Sequence, residues 1–442
     1  MTRLTLDAVY EYADGVCFKN GPPGTVGAET EWFVIHPEDP ARYVSLNRVR
    51  ALLPAAGGFP AGSRLTFEPG GQLELSSRPR PGPAAACRSM GADLSHARRL
   101  LAAAGLALAG TGVDPHRTPR LQETADRYAC MFAYFGMAGL DMMCTTASVQ
   151  VCLDVGADRA DAVRRWRLAH ALGPMFVAAF ANSPVQAGRR TGLRSTRQAI
   201  WAGLDPGRTL PVRASGDGPA AWAAGAGWMA DGPAQDADDP AASWARYALD
   251  ARLMLMPDGH GGWIANPGLT FREWLEKGEP ALEDLTYHLS TLFPPVRPRG
   301  WLELRMIDAL PEPYWPVPVA VAAALLDDPA ATAIAEAAVE PCAERWTEAA
   351  RDALTDPPLA RAARTCFAAA QAALLRQGAA PLARLVAAYA ERYVERGRCP
   401  ADDVIDPAPP RKRRRSPEPH EQEPHEQEHQ EQQEEFSWLS RN

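Results

Sequence analysis

The chain has 442 residues, 46% of them hydrophobic and 23% charged, an ordinary globular mix with material for a large core. Its 46 basic and 54 acidic residues leave a net charge of −8, so no overall basic field directs it to nucleic acid or to an anionic membrane. Lysine is confined to Lys19, Lys277 and Lys412, none after a glycine, which excludes a Gly-Lys-Ser/Thr phosphate loop; eight cysteines without a Cys-x-x-Cys pair argue against a disulfide scaffold or zinc ribbon.

In chain order, the N-terminal stretch lacks an apolar leader core, and the longest greasy runs fall far short of the roughly 18 residues that span a bilayer. The chain is therefore expected to be cytoplasmic, without a membrane partner. Residues 25–37 alternate as a strand, with Gly27, Glu29, Glu31 and Phe33 on one face and Ala28, Thr30, Trp32 and Val34 on the other. Residues 64–77 read as a hairpin around Pro69-Gly70-Gly71. Glu68 and Gln72 face each other across that turn, and Glu74 and Ser76 continue their face, while Leu73 and Leu75 point away. A helix is predicted over Ala84–Ala104. The strand 148–154 sets Ser148, Gln150 and Cys152 against Val149, Val151 and Leu153.

A second helix is predicted over Arg159–Ala181, stopped by Asn182-Ser183-Pro184. Residues 189–201 gather Arg189, Arg190, Arg194 and Arg197 beside Trp201. The spacing of Arg194, Arg197 and Trp201 gives them one helical face, either a solvated basic surface or a carboxylate site. The Gly/Pro/Asp-rich stretch 205–240 reads as a long surface loop. In the strand 301–308, Trp301, Glu303, Arg305 and Ile307 share a face opposite Leu302, Leu304 and Met306, with Arg297 and Arg299 just before it. Ala-rich amphipathic helices fill about 317–400, completing a single catalytic domain over 1–400.

Residues 401–442 are expected to be a disordered tail, being Pro-rich and highly charged with little to bury. This tail spells His425-Glu426-Gln427-Glu428-His429, a match to the zinc-protease pattern. It lacks the apolar flanks that a rigid metal-binding helix needs.

Four strands thus repeat one design, an aliphatic face and a face of Glu, Gln or Arg. A half-exposed sheet meeting water would explain one such strand. Glutamate is a poor strand former, however, and five acids (Glu29, Glu31, Glu68, Glu74 and Glu303) fall on the polar faces. Divalent cations would relieve that charge. Hard oxygen ligands without imidazole or thiolate favour magnesium, which completes its shell with substrate phosphates. Arg305, Arg297 and Arg299 suit phosphate or carboxylate.

The segments GAETEWF (27–33), FEPGGQLELSS (67–77), TASVQVCLD (146–154), RSTRQAIW (194–201), TLFPPVRPRGWLELRMID (291–308) and GRCPADD (397–403) resemble the glutamate–cysteine ligases. The likeness is to the plant-like type and its actinobacterial branch serving ergothioneine biosynthesis. It implies an α+β, glutamine-synthetase-like catalytic fold: a curved, mainly antiparallel sheet forming a funnel with helices outside. The implied reaction joins L-glutamate to L-cysteine at the expense of ATP through γ-glutamyl phosphate, with two or three Mg2+ ions. By the same resemblance Glu29, Glu31, Glu74 and Glu303 are metal ligands with Glu68 as a fifth, and Glu303 and Arg305 serve catalysis. Arg297, Arg299 and Arg305 would hold the nucleotide, and Gln72, Gln150, Arg194, Arg197 and Trp201 the substrates. The alternatives are a ligase of this fold using another amine, and a non-catalytic binding protein.

Overall fold

The central strand of the molecule is β1, Thr25–Ile35, whose alternating small, acidic and aromatic residues bury one face against helices. This computed structural model describes residues 3–53, 58–123, 125–212, 239–258, 260 and 262–406. Around β1 are β2 (Arg64–Phe67), β3 (Leu73–Ser76), β4 (Arg80–Pro81), β5 (Ala107–Ala109) and β6 (Ser148–Asp154). Two small hairpins stand apart, β7 (Val185–Gln186) with β8 (Arg189–Arg190), and β9 (Leu255–Pro257) with β10 (Trp263–Ala265). A last hairpin, β11 (Val296–Pro298) and β12 (Trp301–Asp308), returns to the main sheet. Its order is β11-β12-β6-β1-β3-β2, with β4 and β5 also pairing with β1, and all these pairings are antiparallel.

The aliphatic faces anticipated from alternation are the core. Leu73, Leu75, Val149, Val151, Leu153, Leu302 and Leu304 are buried against the helical layer. At the centre of that layer lies the helix Pro316–Asp327, buried all round from Pro316 to Leu326. Burying such side chains stabilises by roughly 1.5–3 kcal/mol each. The helices Gly82–Ala103, Pro357–Arg376 and Ala380–Arg392 add further apolar faces. Among the described residues, no single helix is long and apolar enough to cross a membrane.

Several elements depart from the sequence-based expectation. The helix predicted over Arg159–Ala181 is two, Arg159–Ala171 and Gly173–Phe180. Pro174 opens the second, where its missing N–H costs nothing, and Gly173 lies so close to Trp346 that a Cβ would sit 2.1 Å from the ring. An unanticipated helix spans Asp126–Thr145, interrupted where Gly136 takes φ 61°. In the expected loop 205–240, Pro206–Thr209 form a helical turn, Pro240 starts another helix, and 213–238 lie outside the described residues.

The C-terminal boundary also moves. Residues 401–405, expected in the disordered tail, belong to a helix, Pro400–Ile405. Asp402 caps it by accepting from the Cys399 N–H and is gripped by Arg194 Nε at 2.8 Å, while Ala401 is buried. The rest of the expected tail, 407–442, with its His-Glu-x-x-His string, lies outside the described residues.

In β12 the register slips. Leu304 pairs with Val151 but Ile307 with Val149, so two residues, Arg305 and Met306, oppose Gln150 alone. One extra residue inverts the facing of everything beyond it. Ile307, expected beside Glu303, is instead fully buried in the helix-facing core, and Asp308 takes the polar side. There Asp308 accepts from Ser183 Oγ (2.7 Å), Ser195 Oγ (2.9 Å) and Asn182 N (2.9 Å).

Candidate active site

The polar face of the sheet is the floor of a cavity of about 300 Å³. Antiparallel register decides which acids meet there. Glu31 lies directly opposite Glu74 of β3, and Glu29 stands between Ser76 on one side and Gln150 on the other. Glu29, Glu31 and Glu74 each offer a carboxylate oxygen within 4.8 Å of the others. Glu68, at the start of the β2–β3 turn, lines the same cavity beside Glu74. Four acids thus converge with little positive charge among them.

Their protonation records the crowding. Burial first, then the charges of Glu74, Glu303 and Glu31, pushes Glu29 well above the usual carboxylate range. Burial and neighbouring Glu74 raise Glu31 and Glu68 in the same direction. Glu31 nonetheless receives three donors, the Ser148 N–H (2.8 Å), Ser148 Oγ (2.9 Å) and Gln150 Nε2 (3.0 Å). The donor set is hard oxygen throughout and short of a cation, so the residues fit a divalent metal ion.

Glu303 does not join this triad. It faces Cys152 on β6 and is engaged by Arg297 Nε (2.7 Å), Arg305 Nη1 (3.0 Å) and Arg299 Nη1 (3.6 Å). Burial works to raise its pKa, but Arg297 and Arg305 outweigh that and hold it down to about 2. Burial likewise pushes Arg297 down to about 10. Arg305, which lines the cavity, also donates to Gln150 Oε1 at 2.7 Å.

Much of the remaining lining is apolar. Met131, Met142 and Met143 from the unanticipated helix stand with Tyr128, Phe293 and Trp201. Burial and then Glu68 push the Tyr128 hydroxyl up to about 12, so it stays a neutral donor. Arg197 is buried and donates through Nη2 to the Arg305 carbonyl at 2.9 Å, while Arg197 Nε and Trp201 Nε1 have no hydrogen-bond partner. Both residues line the cavity.

Most of the sequence-predicted set is therefore brought together: Glu29, Glu31, Glu68, Glu74, Gln150, Arg197, Trp201, Arg297, Arg299, Glu303 and Arg305 all line one cavity. Arg194 and Gln72 do not. Arg194 turns away to Asp402 and to the Arg351 carbonyl. Gln72 is buried behind the floor, where its Nε2 donates to the Met143 and Thr146 carbonyls and fastens the end of the helix Asp126–Thr145 to the hairpin. Missed by sequence reasoning were Arg127, Tyr128, Phe293 and the three methionines. The methionine-rich run from Met131 to Met143 was the one signal that pointed to an unusual helix face.

The model of glutamate–cysteine ligase family 2 matches residues 25–435 of this chain. The chain is 39% identical over 413 residues to the glutamate–cysteine ligase EgtA of Mycobacterium tuberculosis, an alignment covering 90% of this chain and 89% of that one. It is 32% identical over 261 residues to the chloroplastic glutamate–cysteine ligase of Brassica juncea, covering 56% of this chain and 46% of that one. Its fold is like that of a bifunctional glutathione synthetase from Pasteurella multocida, with a TM-score of 0.50 at 12% identity over 91% of this chain. The chain spans about half of that longer protein, 51%.

Proposed function

Because the chain belongs to glutamate–cysteine ligase family 2, we propose that it joins the γ-carboxylate of L-glutamate to the amine of L-cysteine, converting ATP to ADP and phosphate. The observation that carries this reading is the convergence of Glu29, Glu31 and Glu74 within 4.8 Å beside Arg305 in one cavity. Phosphoryl transfer needs positioned charge more than covalent help from the protein. Two or three Mg2+ ions would be held by Glu29, Glu31 and Glu74, with Glu68 alongside, and would supply neutralisation of the triphosphate oxygens.

The chain's own groups divide the remaining work. Arg305, with Arg297 and Arg299 behind it, faces the transferred phosphoryl group, and Glu303 keeps these three guanidinium groups apart and aimed. Arg197 and Trp201 take the substrate α-carboxylate. A γ-carboxylate oxygen of glutamate attacks the terminal phosphorus and ADP leaves. The amine nitrogen of cysteine then attacks the acyl carbon, phosphate departs with the bond it breaks, and the amine proton passes to that phosphate. Met131, Met142, Met143 and Phe293 offer the thiol a polarisable apolar wall. The product would feed ergothioneine biosynthesis in the cytoplasm, where the eight cysteines of the chain stay free.

The test is magnesium-dependent ADP release across a panel of amines. Release is expected only with L-glutamate and L-cysteine together. Equal release when serine or another amine replaces cysteine overturns the choice of acceptor and leaves a ligase of another amine.

A further inference from the structure

The bulge in β12 sits opposite Gln150, and bulges re-aim side chains beside active sites. The backbone of Arg305 is held there on both sides: its N–H donates to the Pro295 carbonyl at 2.8 Å, and its own carbonyl accepts from Arg197 Nη2 at 2.9 Å. What remains to be oriented is the guanidinium. Its Nη1 donates to Gln150 Oε1 at 2.7 Å, and Gln150 Nε2 donates to Glu31 Oε1 at 3.0 Å. Gln150 is only 3% exposed and stands on the strand between the arginine and the acid.

The chemistry of the three groups allows one arrangement. A guanidinium can only donate and a carboxylate only accept, so an amide between them must turn its oxygen to Arg305 and its nitrogen to Glu31. Both of those bonds are charge-assisted, the stronger kind. Gln150 therefore has both ends of its amide committed within the protein before any ligand arrives.

We propose that Gln150 is a positioning residue that locks the Arg305 guanidinium to the Glu31 carboxylate, so that the phosphate-facing and cation-facing halves of the site keep one register. The meaning of the two halves rests on the ligase reading, whereas the coupling between them can be measured without turnover. A side chain that satisfies neither partner frees both. Misplacing a catalytic group by about 1 Å can cost on the order of 10²-fold in rate, and losing a partner behind a metal ligand typically costs about 10–100-fold in metal affinity.

The experiment uses the full chain and isothermal titration calorimetry with two probes, Mn2+ alone and a non-hydrolysable ATP analogue in excess Mg2+. Gln150→Met, Arg305→Met and the double variant are compared with the wild type. Gln150→Met is expected to weaken both probes by about tenfold or more. In the double variant the analogue should bind no more weakly than in Arg305→Met, because with the cation sites filled by excess Mg2+ Gln150 acts on the nucleotide only through Arg305. In turnover, kcat should fall about 10²-fold while KM for glutamate changes less than threefold. Additive losses in the double variant, unchanged binding of both probes, or a raised KM for glutamate with kcat intact would each overturn the proposal. Gln150→Asn, one methylene too short to span both partners, is expected to give the same pattern and carries the test if the methionine variant does not fold. A wild type that binds the analogue yet turns over no glutamate and cysteine would sink the ligase reading, while the titrations still decide the role of Gln150.

Discussion

Replacing Glu74 by glutamine should stabilise the metal-free protein and disable it at once. Glu74 shares the floor with Glu29 and Glu31, their oxygens within 4.8 Å of one another. Two full charges at that distance repel by about 3.5 kcal/mol at an effective dielectric constant of about 20. The Arg305 charge offsets part of this, lowering Glu29 and Glu31 against the burial and the Glu74 charge that raise them. The net relief from removing the Glu74 charge is therefore about 1–2 kcal/mol, a rise of about one to two degrees in melting temperature for a chain of this length. Glutamine keeps an oxygen to accept from Thr66 Oγ1 (2.5 Å) and Ser76 Oγ (3.2 Å), so the hairpin should not suffer. Differential scanning calorimetry with and without Mg2+ reads both effects. The variant is expected to melt higher than the wild type in chelator, to gain little from added Mg2+, and to lose turnover by orders of magnitude. A variant that melts lower in chelator, or that keeps the full magnesium-dependent rise, would refute the view of this cluster as a cation site.

Three further outcomes follow from the charges in and around the site. Glu29, Glu31 and Glu68 have folded pKa values raised by burial, so their contribution to stability is full below the unfolded value of about 4.3 and is lost as pH rises through the folded values. Glu303, held down to about 2, works oppositely, its contribution present above about 4.3 and lost as pH falls toward 2. Melting curves between pH 5 and 8.5 should therefore fall with pH in chelator and flatten in saturating Mg2+; a slope indifferent to Mg2+ would count against the assignment. Arg194→Ala, which breaks a partly exposed ion pair with Asp402, should cost about 1 kcal/mol of stability and change KM for glutamate less than twofold. Arg197→Met, which takes an arginine from the cavity lining, should lower kcat/KM for glutamate by about 10²-fold or more, and equal kinetic effects of the two would contradict their separation.

The acids were legible because strand alternation is a strict rule and register only had to align the three strands that carry Glu29, Glu31, Glu74 and Glu303. The same rule failed at Ile307. Nothing in Trp301-Leu-Glu-Leu-Arg-Met-Ile-Asp308 marks a bulge, which depends on Pro295 and Arg197 reaching the backbone of Arg305 from elsewhere. Arg194 was placed by helical spacing, but the helix begins at Thr196 with Ser195 as its cap. Arg194 thus precedes the periodicity that was applied to it, and Asp402 decides its direction. Gln72 fails similarly, lying before the first ladder pair of β2 and β3, Phe67 with Leu73, where alternation no longer governs.

The five glutamates are one letter in the sequence and two kinds of group in the fold. Glu29 and Glu31 on β1 meet other acids and are raised; Glu303 on β12 meets arginines of its own hairpin and is lowered. These opposite environments lie only two strand spacings apart, about 9.5 Å, close enough to neutralise one another if the side chains could reach across. What separates them is β6, whose cavity-side residues Ser148, Gln150 and Cys152 carry no charge. An arginine or a glutamate on that strand would bridge to one side or the other, and either the acids would lose their need for a cation or the arginines their capacity for phosphate. A neutral strand between opposite charges keeps both halves available, and an amide at its centre lets them be held in register without cancelling.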